Sequence, residues 1–330
     1  PNIKMLTYCE VQHVSQNSAG FRAQVLKKPR YVNEESCTGC RQCEYACPID
    51  LPSAFDLGLG AHRAIRVPFS TAVPQTAVLD IDNCILCGKC EKECPHGCID
   101  FTQEAQQFEI EAGAIVLATG FDLTPTDAKE AYGGGQLANV VSPLVVERLL
   151  APTGPHGHVL RPSDGKEPES VAYVQCAGSR DETLGITYCS RICCMYAIKQ
   201  AMLLSGALPL ADITIYYMDI RTFGKGYEQF YQNARAMGIE FVKGKVAKID
   251  QDEEENPVVR VELIDDGSRV IERQHDLVVL TTGMVPAYNP QTIYNVPVAD
   301  EDGFVKLSSP NLSPSVSDRP GVFVTGTAAG

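Results

Sequence analysis

The pattern of apolar and polar residues in the second half of the chain predicts a strand, a helix and a second strand. The apolar run at residues 171–174 leads to Cys176 and indicates a buried strand. Residues at helical spacing then follow between Ser190 and Gly206: Ile192, Tyr196, Lys199, Gln200 and Leu203. A further apolar strand is expected at residues 212–218. This βαβ order is typical of half a Rossmann-type domain and predicts an α/β fold.

Three other apolar segments each end in a turn that combines threonine and glycine. They lie at residues 109–122, 275–286 and 321–330. Such a repeat is typical of flavoproteins with two dinucleotide-binding domains, although each segment alone is also an ordinary strand with a glycine turn. The residues predicted to contact FAD are Thr119, Gly120, Thr282, Gly283, Gly326 and Thr327.

The glycine fingerprint of a dinucleotide site, G-x-G-x-x-G, is missing from the sequence. The turn after the strand at 171–176 holds Cys-Ala-Gly-Ser-Arg-Asp instead, which argues against direct oxidation of NAD(P)H at this position. We therefore predict an incomplete FAD/NAD(P)-binding domain, with electrons entering by another route.

Composition and charge exclude several classes of protein. The 330 residues are 44% hydrophobic and carry a formal net charge of -13, which argues against nucleic acid as a partner. No run approaches the roughly 18 apolar residues of a membrane span, and no signal peptide is visible. These features predict a soluble protein in a reducing compartment, the cytoplasm.

Eight of the fourteen cysteines form two copies of the pattern C-x2-C-x2-C-x3-C-P. In proteins with two 4Fe-4S clusters, the cysteine before proline binds the other cluster. The first quartet is therefore predicted to be Cys37, Cys40, Cys43 and Cys94. The second quartet is predicted to be Cys84, Cys87, Cys90 and Cys47. Paired zinc sites and a disulfide framework fit this spacing less well.

Four of the remaining cysteines form a third quartet, which consists of Cys176, Cys189, Cys193 and Cys194. Cys189 and Cys193 are expected to share a helical face, and Cys176 ends the preceding strand. We predict a third 4Fe-4S cluster here. A redox-active dithiol, a zinc site and buried structural cysteines are the alternatives. Cys98 and Cys9 are expected to be spare thiols.

Three cations lie close to the third quartet in the sequence. Lys199 is predicted to face a flavin ring, where its charge would stabilise the reduced anionic flavin. Arg180 and Arg191 are candidate donors to cluster sulfides. The alternative for each is a solvated surface cation.

Three longer stretches carry a resemblance to a known family: FGKGYEQFY, LRPSDGKEPESVAYVQCAGSRDE and YCSRICCMYAIKQA. They resemble HdrA, the flavin subunit of heterodisulfide reductase. The resemblance implies a thioredoxin-reductase-like FAD domain with an inserted α+β two-cluster ferredoxin, an extra cluster on the third quartet and flavin-based electron bifurcation. It also implies that the substrate disulfide, such as CoM-S-S-CoB, is reduced on a different subunit. The implied partners are the other reductase subunits, a donor of the hydrogenase or formate dehydrogenase type, and ferredoxin.

These placements divide the chain into five segments and suggest an internal fragment of a longer protein. Flavin-domain segments are expected at 1–29, 104–165 and 280–330, the ferredoxin at 30–103, and a nucleotide-binding-like half-domain at 166–279. Within the ferredoxin, residues 51–79 are too rich in proline and glycine for one long element. The predicted function is electron transfer and bifurcation within an oxidoreductase complex. The alternatives are a flavin-free electron-transfer scaffold and an NAD(P)H-dependent disulfide reductase.

Overall fold

The computed structural model describes residues 2–297 and 302–330, and the chain divides into two compact units. The first unit consists of Pro1–Ala54, Gly60–Gly120 and Ala287–Ala329. The second unit consists of Phe55–Leu59, Phe121–Pro286 and Gly330. Among the residues described, no helix is both long and apolar enough to span a bilayer. The division into five segments stays a prediction.

Among the residues that the structure describes, strands outnumber helices in both units. The strands are β1 (Cys9–Asn17), β2 (Gly20–Lys27), β3 (Asp50–Pro52), β4 (Ala61–Arg63), β5 (Ile65–Arg66), β6 (Val78–Leu79), β7 (Gln106–Ala112), β8 (Ile115–Leu117), β9 (Phe121–Leu123), β10 (Val140–Val141), β11 (Ser170–Ala177), β12 (Asp212–Tyr217), β13 (Glu240–Gln251), β14 (Pro257–Leu263), β15 (Val270–Gln274), β16 (Leu277–Thr282), β17 (Met284–Pro286), β18 (Leu307–Ser309), β19 (Ser313–Ser317) and β20 (Val322–Val324). The α-helices are α1 (Gln42–Ala46), α2 (Lys89–Glu93), α3 (Pro143–Leu150), α4 (Cys193–Ala207), α5 (Tyr227–Ala236) and α6 (Pro290–Tyr294).

The second unit is built on a sheet with the strand order β10-β16-β11-β12-β13-β14-β15. Its first five strands are parallel, and β14 and β15 continue it as an antiparallel meander. Helices α3, α4 and α5 pack on one face, where Tyr173, Ile198 and Leu204 are fully buried. Val174 and Leu280 point to the opposite core, since side chains alternate along a strand. The α/β class is confirmed.

Strand β11, helix α4 and strand β12 form the predicted βαβ unit, with β11 and β12 parallel. The helix begins at Cys193 rather than at Ser190. Arg191 has a left-handed φ of 63°, which the interior of a right-handed helix does not contain. Cys189 therefore lies outside the helix, and the prediction that it shares a helical face with Cys193 was wrong.

The first unit contains a sheet with the order β1-β2-β7 and another with the order β18-β19-β20-β8. The segment 109–122 was expected to be one strand, but it contributes to three: β7 and β8 in the first unit and β9 in the second. The chain changes sheets at Gly113, between β7 and β8. Strands β8 and β20 are parallel neighbours, so the turns that follow them leave the same edge of that sheet.

The ferredoxin part of the first unit is held by two five-residue helices and short hairpins. Strands β3 and β4 form one hairpin and β5 and β6 another, as the irregular composition of 51–79 suggests. Helices α1 and α2 contact each other over a core that includes Val32, Ile65 and Leu79. Several cysteines belong to the same core, so its packing and the placement of the thiols depend on each other.

Candidate iron-sulfur sites

The two ferredoxin motifs fold into nearly matching loops. In the first motif Gly39 and Arg41 have left-handed φ values of 67° and 64°. In the second motif Leu86 and Gly88 occupy the corresponding positions, with φ values of 54° and 68°. Left-handed residues between right-handed ones turn successive backbone N–H groups toward one side, which suits a negatively charged group. Each loop leads directly into its helix, α1 or α2.

The cysteines of the two motifs come together in a crossed arrangement. Cys37, Cys40, Cys43 and Cys94 of the first quartet line one small cavity. Burial raises the pKa of the Cys43 thiol, and the charges of nearby Cys37 and Cys94, with that of Cys90 from the second quartet, raise it as well. Cys90 is influenced in the same way by three cysteines of the second quartet: Cys84, Cys47 and Cys87. This is the grouping that the crossed motif predicts, and the role of these residues as ligands stays a prediction.

The surroundings of the sulfur atoms suit cationic iron. Burial raises the pKa of Cys43 to about 12 and that of Cys90 to about 11. Both thiolates are therefore costly without a positive partner, and iron ions would supply that charge. Backbone N–H groups also point at the sulfurs: Leu86 N lies 3.3 Å from Cys84 Sγ. The donor set thus fits two thiolate-bound clusters.

The third quartet assembles at the carboxyl end of β11. Cys176 has a left-handed φ of 56°, and the pairing of β11 with β16 is irregular between Val174 and Ala177. This bend directs the chain toward the start of α4, where Cys193 and Cys194 are buried. Cys189 approaches from the irregular segment before the helix. A turn, rather than a shared helical face, brings Cys189 to the other three.

The thiols of the third quartet influence one another electrostatically. Burial, together with the charges of neighbouring Cys176, Cys194 and Cys189, raises the pKa of Cys193 to about 12. Burial likewise raises the pKa of Cys194 to about 11. Arg191 N lies 3.4 Å from Cys189 Sγ, as Leu86 N does at 3.3 Å from Cys84 Sγ. The structure brings all four residues together, and their function as ligands stays a prediction.

The cations near the third quartet occupy different positions. Arg180 interacts with the Cys176 side chain, and its Nη1 donates to Asp219 Oδ1 at 2.5 Å. Arg191 stacks on Phe223, with its guanidinium carbon 5.7 Å from the ring centroid. Lys199 Nζ donates to Glu147 Oε1 at 2.9 Å, and its side chain is 50% exposed. Arg180 thus contacts the third quartet, and the roles of Arg180 and Arg191 toward a cluster and of Lys199 toward a flavin stay predictions.

Sequence patterns missed Asp219, which holds Arg180 in place and whose carbonyl oxygen lies 4.0 Å from Cys194 Sγ. Its position two residues after β12 was the available signal, because ligand-binding residues gather at the carboxyl ends of parallel strands. A crevice of about 490 Å³ opens at this edge, and Lys129 and Cys176 are among its lining residues.

Within the residues described, no three His, Cys, Asp or Glu side chains are close enough to surround a single metal ion. A structural zinc ion would hold four ligands about 2.0 to 2.3 Å from one centre. A cubane has four iron atoms that each take one thiolate, so its ligands are farther apart.

Two of the three predicted threonine-glycine turns belong to the first unit, and the third belongs to the second unit. The turns after β8 and β20, which contain Thr119, Gly120, Gly326 and Thr327, belong to the first unit. Gly120 and Gly326 have left-handed φ values of 74° and 67°. Thr282 and Gly283 belong to the second unit, where a Cβ atom on Gly283 would lie 1.8 Å from Ser179 Oγ. That glycine is required by packing, and the FAD contacts stay a prediction.

Comparison with known proteins identifies the ferredoxin part directly. Residues 36–99 match a family model described as a 4Fe-4S dicluster domain. In solved structures, the chain resembles thioredoxin reductase from T. acidophilum with a TM-score of 0.40 and 14% identity, over 69% of this chain and 61% of the other.

Curated relatives match the chain from end to end, and each is an HdrA protein. The chain is 44% identical to the HdrA iron-sulfur subunit of CoB--CoM heterodisulfide reductase from Methanocaldococcus jannaschii and covers 51% of that protein. It is 45% identical to one of two relatives of the same name from Methanopyrus kandleri, again covering 51%. Identity is 41% to the HdrA subunit of the H(2):CoB-CoM heterodisulfide,ferredoxin reductase from Methanothermobacter marburgensis, of which it covers 50%. The chain spans about half the length of these relatives.

Proposed function

This chain belongs to the HdrA family of heterodisulfide reductase subunits, and we propose that it is the electron-transferring part of an iron-sulfur flavoprotein oxidoreductase. It would pass electrons between FAD, 4Fe-4S clusters and partner subunits. The observation that carries this proposal is the convergence of twelve cysteines into three quartets, two of them crossed between neighbouring motifs. Each quartet supplies the four thiolates that one cubane requires.

The flavin part of the proposal rests on the two turns that leave the same edge of the sheet in the first unit. The left-handed Gly120 and Gly326 leave the backbone open for close approach of a cofactor. FAD exchanges electrons in pairs or singly, whereas each cluster takes one electron at a time. Bifurcation needs a flavin that passes single electrons to separate chains of clusters, so we include bifurcation in the proposal.

The names of the relatives support the proposal that this chain works together with partner subunits. The HdrA proteins named for H(2):CoB-CoM heterodisulfide,ferredoxin reductase and for its H(2)/formate-dependent counterpart share 41% and 43% identity with this chain. We propose that the chain also works with other reductase subunits, with a donor protein of the hydrogenase or formate dehydrogenase type, and with ferredoxin. Cluster ligation requires reduced thiolates, which supports the cytoplasm as its location.

Iron analysis of the complete protein, purified without oxygen, tests the proposal. Replacing Cys189 with alanine should remove about four irons per chain and leave the ferredoxin signals intact, because a cubane lost from one quartet takes four irons. Cys9→Ala is the matched control, since Cys9 lies in β1 and belongs to none of the quartets. Unchanged iron in Cys189→Ala would contradict a third cluster.

Flavin analysis separates the alternatives. Fluorescent flavin released by acid is expected from the complete protein, and its absence would favour the flavin-free scaffold. Tight binding of NADPH would favour an NAD(P)H-dependent disulfide reductase. We expect weak or no binding, because the turn at residues 176–181 has Cys176 and Asp181 at two of the three positions that are glycine in a dinucleotide site.

A further inference from the structure

Two polar side chains are buried without partners at the end of the second unit's sheet where the third quartet lies. Gln175 in β11 is 6% exposed, and neither Nε2 nor Oε1 of its amide has a hydrogen-bond partner among the residues described. Thr281 in β16 is fully buried, and within the described part of the chain its Oγ1 is also unpaired. Buried polar atoms in proteins nearly always have a partner, so both side chains require an explanation.

The register of the sheet places both side chains on the face that α4 covers. Tyr173 belongs to the core that packs against α4, whereas Val174 and its partner on β16, Leu280, belong to the opposite core. Side chains alternate between the two faces along a strand. The next residue on each strand, Gln175 and Thr281, therefore returns to the face of α4.

The first turn of α4 lies at the same end of the sheet as these two residues. Strands β11 and β12 are parallel, so the helix between them runs back along the sheet and begins near their carboxyl ends. Cys193 Sγ in that first turn lies 3.7 Å from the carbonyl oxygen of Thr282, the residue after Thr281. Cys176 directly follows Gln175 in the chain. Both unpaired side chains thus neighbour the third quartet.

An iron-sulfur cluster supplies the kind of partner that both groups lack. Its sulfur atoms carry negative charge and can only accept, so an amide nitrogen and a hydroxyl would face them as donors. Protonated thiols are weak acceptors, and apolar side chains accept no hydrogen bond. The two buried donors are therefore better explained by a cluster at this position than by four free cysteines.

We propose that Gln175 Nε2 and Thr281 Oγ1 donate hydrogen bonds to the cluster on the third quartet and make this cluster easier to reduce. The inference rests on the third cluster proposed above. Reduction adds negative charge to a cluster, and donors directed at its sulfur atoms stabilise that charge. Loss of either donor therefore lowers the midpoint potential.

Redox titrations followed by electron paramagnetic resonance test the proposal in the complete protein. The signal of the third quartet is the one that disappears in Cys189→Ala. Gln175→Met and Thr281→Val each remove one donor and keep a side chain of similar shape. Each variant should lower the midpoint potential of this cluster alone, with up to about a tenfold change in electron distribution, or 59 mV for a one-electron couple. Thr281→Ser should keep most of the wild-type potential, because serine retains the hydroxyl.

Gln200 provides the matched control for the loss of a buried amide. It is 1% exposed and lies in α4, where its Nε2 donates to Pro143 O at 3.0 Å. About 10 Å of helix separates it from Cys193. Gln200→Met should leave the potential of the third cluster unchanged. A shift as large as that of Gln175→Met would overturn the inference, because any buried amide of this unit would then have the same effect.

A measurement on the unaltered protein covers the case in which a variant loses its cluster. With nitrogen-15 in the side-chain amides of glutamine, pulsed electron paramagnetic resonance should detect a nitrogen-15 coupling on the signal of the third quartet. A third cluster without that coupling, or with unchanged potentials in both Gln175→Met and Thr281→Val, would overturn the inference and leave the proposed function standing. Absence of the third signal from the wild type would instead overturn the third cluster itself.

Discussion

Acidification should destabilise the second unit through one buried histidine. His275 is 4% exposed and lies between two hydroxyl groups: Ser170 Oγ is 2.8 Å from Nδ1, and the Tyr216 hydroxyl is 2.8 Å from Nε2. Burial, assisted by the positive charge of Arg273, lowers its pKa from 6.5 to about 4. A neutral imidazole has one donor and one acceptor nitrogen, and the two hydroxyls can satisfy both.

The sign and size of the effect follow from proton linkage. Between about pH 6.5 and pH 4 the unfolded chain binds a proton at His275 that the folded protein does not. The stabilising contribution is therefore complete above about pH 6.5 and decreases as the pH falls toward 4. The two pKa values differ by about 2.5, and at 1.36 kcal/mol per pKa unit the largest loss is about 3 kcal/mol.

Nitrogen-15 NMR of histidine side chains gives the pKa directly, and urea unfolding at several pH values gives the free energy. We expect the His275 ring to remain neutral at pH 5. His275→Gln is the control, because glutamine keeps a donor and an acceptor but does not titrate. A charged His275 ring at pH 5.5, or the same loss of stability between pH 6.5 and 5 in His275→Gln, would refute the reasoning.

Two further predictions concern the clusters, and a third concerns the flavin. Cys47→Ala should abolish the resonance signal of the cluster that Cys84 binds and preserve the other, because the motifs are crossed; loss of the opposite signal would contradict the assignment. Gly39→Ala should lose about four irons per chain, because the added Cβ would lie 2.4 Å from a backbone carbonyl oxygen. Gly88→Ala is the control: the φ of Gly88 is similar, and no described atom lies within 4 Å of the added Cβ, so this variant should retain more iron. Lys199→Ala should change the free energy of unfolding by less than about 1 kcal/mol, because the ion pair of Lys199 is half exposed. A lowered flavin potential in this variant would support the predicted electrostatic role of Lys199, and an unchanged potential would exclude that role.

The sequence predicted the parts of the molecule that depend on short spacings. The ferredoxin loops follow from cysteine positions alone, because a cubane fixes the distance between neighbouring ligands. The start of α4 was missed because helical periodicity continues back through Ile192, whereas the left-handed Arg191 ends the helix. Asp219 was missed because its contacts with Arg180 and Cys194 join positions far apart in sequence, which no local pattern records.

The third quartet shares one backbone turn with the ferredoxin loops, although the surrounding folds differ. In both places the residue two positions after a cysteine is left-handed and donates its N–H to that cysteine's sulfur: Leu86 to Cys84, and Arg191 to Cys189. A left-handed non-glycine residue costs about 1 to 2 kcal/mol, so its presence beside a sulfur in two unrelated settings calls for a compensating interaction. A bound cluster would provide one, because its negative charge is stabilised by N–H groups directed at the ligating sulfurs. A neutral thiol is only a weak acceptor, so the N–H of Arg191 directed at Cys189 Sγ favours a cluster over the dithiol alternative, and the third cluster stays a prediction.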